Sequence, residues 1–66
     1  MDDAQYILEN SWSLDPDYCK IIDGKVYEKM TGDDDYRVFT GVDEYESIHD
    51  EDLIERLNEE FIGIGD

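Results

Sequence analysis

The chain has 66 residues, enough for one domain, spanning residues 1–66, with a thin core. Twenty Asp and Glu against five Lys and Arg give a formal charge of −15, which repels nucleic acid phosphates and anionic lipid and argues against direct DNA or RNA binding and against a membrane surface. One cysteine and one histidine exclude an internal disulfide and a Cys/His zinc site, so oligomerisation is the remaining support for so small a domain.

In chain order, Ala4, Ile7 and Leu8 follow helical spacing behind Asp2 or Asp3 as cap, which predicts a helix over residues 3–10 with Trp12 just beyond its end. Pro16 fixes its own φ and pushes Asp15 out of the helical region, so residues 13–17 read as a turn. Two β-prone runs, 18–22 and 25–30, flank Asp23-Gly24, a pair suited to a type I′ hairpin. That turn sets Ile22 opposite Lys25, Ile21 opposite Val26 and Lys20 opposite Tyr27. Cys19, Ile21, Val26 and Met30 would then share one face, and Tyr18, Ile22 and Tyr27 the other.

Residues 31–35 form a polar loop, and 36–42 alternate as a third strand. Residues 43–48 are ambiguous, with Tyr45 in either a fourth edge strand or a loop. A helix is predicted from about Asp50 to Phe61 on the stripe Leu53, Ile54, Leu57 and Phe61, started by a Ser47/Asp50 capping box or by Asp50 itself and ended by Gly63 and Gly65. The expected fold is α+β, a small three- to four-stranded antiparallel meander with an N-terminal and a C-terminal helix (α-β-β-β-α). Both helices are expected on one sheet face. The other face, with Tyr18, Ile22 and Tyr27, would stay open for a partner or a second copy.

The composition is 39% hydrophobic and 12% aromatic, which favours a folded domain over an acidic disordered tail. No run approaches the roughly 20 apolar residues of a membrane span, and the acidic start lacks the basic segment of a signal peptide, so a cytoplasmic protein is expected. Little in the chain suits catalysis. His49 reads as exposed or capping, and Cys19 as a buried inert thiol within a strand. Asp33, Asp34 and Asp35 fail the EF-hand pattern, because Arg37 stands at the third ligand position and no glycine follows it. No enzyme, no metal and no cofactor is expected.

The informative pattern is acidic. Glu51, Glu55 and Glu59 recur every four residues, flanked by Asp52 and Glu60, which predicts a carboxylate ladder relieved within the helix by Arg56 alone. Asp33, Asp34, Asp35, Asp43, Glu44 and Glu46 form a second acidic group. Solubility needs a net charge of about 2 to 8 in a small domain, so −15 goes beyond it and adds self-repulsion. Rows of carboxylates on a rigid surface can stand in for phosphates before a partner that reads the DNA backbone.

With its size, its charge, and Tyr and Trp set among Asp and Glu, the whole chain resembles the small acidic inhibitors encoded by bacteriophages, among them inhibitors of uracil-DNA glycosylase, of restriction enzymes, of CRISPR effectors and of the histone-like nucleoid protein HU. The likeness is one of type, without a diagnostic motif, and is nearest to the HU-blocking kind. It implies a DNA mimic whose acidic side chains fill a basic partner's DNA-binding cleft, acting as a homodimer in the cytoplasm of the host cell. The alternative is a protein-interaction regulator that binds through an aromatic sheet face of Tyr18, Ile22, Tyr27 and Phe39, with RNA polymerase, uracil-DNA glycosylase, or a restriction or CRISPR effector as other targets.

Overall fold

A computed structural model describes residues 3–30 and 35–64. Helix α1, Asp3–Asn10, buries Ala4, with Ile7 and Leu8 packed beside it. A loop leads to a short 3₁₀ turn, Pro16–Tyr18. Asp15 is extended before the proline, and its side chain accepts the Asp17 N–H as a cap. Tyr18 belongs to this turn and not to the strand expected from residue 18. Strands β1, Cys19–Ile22, and β2, Lys25–Lys29, pair in the register expected from the sequence. Asp23 and Gly24 both have positive φ, 53° and 77°, the backbone a type I′ turn needs and one that glycine adopts without steric cost.

Strand β3, Tyr36–Gly41, returns beside β2, and the Met30 N–H donates to the Asp35 carbonyl at 2.9 Å across the connection. The ambiguous segment that follows is a strand: β4, Glu44–Ser47, pairs with β3 across an irregularity between Phe39 and Gly41. Val42, expected in the third strand, lies in the connecting turn with Asp43, whose φ is 55°. Helix α2, Glu51–Glu60, is capped by Asp50, whose carboxylate accepts from the N–H groups of Asp52 and Leu53. Ser47 is in β4, so the cap is Asp50 itself. The architecture is an α+β meander of four antiparallel strands, in the order β1-β2-β3-β4, between two helices.

The helices do not share a face. Ile22, Tyr27, Tyr36 and Val38 point to one side and pack with Leu53, Ile54, Leu57 and Phe61 of the α2 segment. Val26, Phe39, Cys19 and Ile21 point to the other and pack with Ala4, Ile7 and Leu8 of α1 and with Leu14. The reason lies in the strands, which carry large apolar side chains at both parities, so that each face must be covered. The open aromatic face expected from the sequence is therefore absent, with Tyr27 buried at 7% exposure and Ile22 at 8%. Among the described residues, no helix is long and apolar enough to cross a membrane.

Leu57 is fully buried where α2 meets the sheet. Leu57→Ala is expected to lower the unfolding free energy by about 2–5 kcal/mol, measured by urea denaturation, through lost burial and the cavity left behind.

Candidate partner-binding surface

The stripe that seats α2 fixes which side faces outward. With Leu57 and Phe61 buried, Glu51, Asp52, Glu55 and Glu59 stand exposed on the outer side of the helix. Steps of four residues space Glu51, Glu55 and Glu59 by about 6 Å along the axis. Arg56, expected to relieve this ladder, reaches away to Asp23 in the β1–β2 turn, with its guanidinium 2.9 Å from the Asp23 carboxylate. Among the described residues, no Lys or Arg pairs with those four carboxylates. Glu60 differs from them. It is half-buried, and Lys20 of β1 approaches both its carboxylate, at 3.4 Å, and its backbone carbonyl, at 3.0 Å. Glu60 thus ties the end of α2 to the sheet edge.

The second acidic group is divided by the topology. Asp33 and Asp34 lie outside the described residues. Asp35 precedes β3 at the sheet end where α2 begins, because the Ile48 N–H donates to the Tyr36 carbonyl at 3.0 Å. Asp43 and Glu44 lie at the opposite end of β3, and Glu46 follows on the exposed edge strand β4. The carboxylates therefore form an α2 zone and a β3–β4 turn zone.

Asp43 is held from across the sheet. Its Oδ1 accepts the Ser13 N–H at 2.8 Å and the Ser13 hydroxyl at 3.1 Å, and its own N–H donates to the Ser11 hydroxyl at 3.1 Å. The Ser13 N–H bond, aided by the Ser13 hydroxyl and the Trp12 backbone, holds the carboxyl below its ordinary value of 3.8 although burial opposes this. Its contribution to stability is thus complete above that value and is lost as pH falls through the lowered pKa.

Sequence reasoning missed one cluster. Glu28 of β2 and Arg37 of β3 lie opposite each other and form a buried ion pair. The other Glu28 oxygen accepts the Asp15 N–H at 2.6 Å, and Arg37 donates to the Ser13 carbonyl at 2.6 Å. The guanidinium also lies 4.1 Å from the Tyr45 ring centroid and 5.0 Å from that of Phe39. The signal was an opposite-charge pair on facing strands, but it needed the β2–β3 register to be seen.

Cys19, expected to be buried, is half-buried. Burial, followed by the charges of Glu28, Asp15 and Asp17, pushes the Cys19 thiol up to about 11, and its Sγ lies 3.4 Å from the Pro16 carbonyl. His49 is exposed beside Asp50, which does the capping. The alternative interface of Tyr18, Ile22, Tyr27 and Phe39 offers little surface, since the last three are buried beneath the two helices. No family model, no curated protein and no solved structure matches the chain.

Arg37→Met would leave Glu28 buried without its partner and is expected to cost about 3–5 kcal/mol, with Glu28→Gln in the same chain recovering part of it in urea denaturation. At pH 8 the native Cys19 thiol should react with a disulfide reagent about a hundredfold more slowly than in denaturant, as its raised pKa leaves little thiolate.

Proposed function

We propose that the protein is an acidic DNA-mimic inhibitor that occupies the DNA-binding surface of a basic host protein in the cytoplasm and blocks DNA binding there, with the histone-like nucleoid protein HU as first target. The observation that carries this reading is the outer side of α2. Glu51, Asp52, Glu55 and Glu59 are exposed, the one basic residue of the helix is turned to Asp23, and the helix is anchored by Leu57 and Phe61. Carboxylates held in this way keep their field in place, so a cationic cleft meets a preformed row of charges with little ordering left to do.

Binding would follow the physics of phosphate recognition. Each carboxylate that enters the cleft replaces a phosphate contact, and the field of the whole chain steers encounter. A homodimer would double the acidic surface and match a partner of two-fold symmetry. No catalytic step, metal or cofactor is part of this function, and exclusion of DNA is competitive.

The test is a titration of purified HU at several salt concentrations, with displacement of labelled DNA as the readout. The native chain is expected to compete with DNA and to lose affinity steeply as salt rises. A variant with Glu51→Gln, Asp52→Asn, Glu55→Gln and Glu59→Gln should bind at least about tenfold more weakly and with a shallower salt slope. Unchanged binding by this variant would place the interface away from α2. A salt-stepped pull-down from bacterial lysate that returned only partners indifferent to salt and to DNA would overturn the mimicry itself.

A further inference from the structure

The loop between α1 and the 3₁₀ turn is held from several directions. The Ser11 N–H donates to the Ile7 carbonyl at 3.0 Å, Ser13 is bound by Asp43 and Arg37, and the Asp15 N–H is bound by Glu28. Leu14 is buried. In the middle of this fixed segment, Trp12 is 94% exposed. A tryptophan is the largest apolar side chain and one of the commonest anchors of protein interfaces, and here it adds almost nothing to the core. The fold fixes its backbone and leaves its ring in solvent.

The surroundings say what the ring would meet. Glu9, Asp15 and Asp17 flank it along the chain, all exposed, and Asp43 is hydrogen-bonded to the adjacent Ser13. The cation bound to this loop, Arg37, is turned inward onto Glu28, Phe39 and Tyr45. An exposed indole face in such a field is complementary to a cation, and most of all to a guanidinium, which is planar, weakly hydrated and stacks on aromatic rings.

We propose that Trp12 is the anchor of the partner interface and stacks against an arginine side chain on the partner's cationic surface, beside the carboxylate of Asp43. The inference rests on the proposed binding of a basic partner and specifies its chemistry. It places this contact at the loop that carries Trp12 and the β3–β4 turn, on the α1 side of the sheet, away from the α2 ladder. The field of the whole acidic chain supplies the salt-dependent attraction, and Trp12 supplies short-range affinity that salt screens little.

The chain has a single tryptophan, so its fluorescence reports on this site directly. The probes are a nine-residue polyarginine peptide, its polylysine counterpart, and purified HU. Polyarginine is expected to change the Trp12 emission and to bind at least about fivefold tighter than polylysine. Trp12→Ala should weaken polyarginine binding about tenfold with an unchanged salt slope and an unchanged melting temperature, and Trp12→Phe should restore part of the loss. Equal affinity for the two peptides, together with an inert Trp12→Ala variant, would overturn the inference. HU bound equally well by Trp12→Ala, with native emission unchanged, would also overturn it and leave the mimicry standing. Failure of HU to bind beside a positive polyarginine result would remove HU as the target and leave the anchor supported.

Discussion

The Glu28–Arg37 pair is the interaction on which the arrangement of this small protein turns. It sits on the sheet face that α1 covers, between the two central strands, and each partner also hydrogen-bonds the loop that follows α1. A buried ion pair adds little net stability over a well-packed apolar pair, while separating its members is costly. Its contribution here is therefore one of position. It sets the β2–β3 register, holds Ser13 and Asp15, and places Arg37 against Phe39 and Tyr45. A chain with so few cations has buried one of them to fix a loop.

The remaining charges follow from that scarcity. Lys20 joins the end of α2 to β1, and Arg56 joins its middle to the β1–β2 turn. Among the described residues, three ion pairs join different elements of the fold, and Lys25 and Lys29 enter none of them. The outer side of α2 is acidic throughout, because Arg56, the one basic residue of the helix, is turned to Asp23.

Much of this architecture is legible in the sequence. Asp23-Gly24 between two β-prone runs fixed a hairpin and its register, because a type I′ turn admits one pairing. The stripe Leu53, Ile54, Leu57 and Phe61 marked α2 and the side it buries, and with that the outward set of carboxylates. The fourth strand was not legible. Glu-Tyr-Glu-Ser is short, polar and exposed throughout, and edge pairing with β3 defines it more than propensity does. The placement of the helices on opposite faces was not legible either, since strand parity reveals two apolar faces without assigning a helix to each. Of the candidate site, the α2 carboxylates were visible, apart from the structural role of Glu60. Trp12 was not, because exposure of a large aromatic is a tertiary fact.

The edge strand β4 has a consequence for how the molecule behaves in company. An open sheet with an unpaired edge is a template on which further chains can add, and small proteins with such edges are prone to form fibres. Here the edge carries Glu44 and Glu46, both exposed. A second copy docking strand to strand along this edge would bring its own carboxylates alongside them, in a field already strongly negative. The negative charge along β4 therefore also disfavours strand-to-strand polymerisation through this edge, one of the two that the sheet presents.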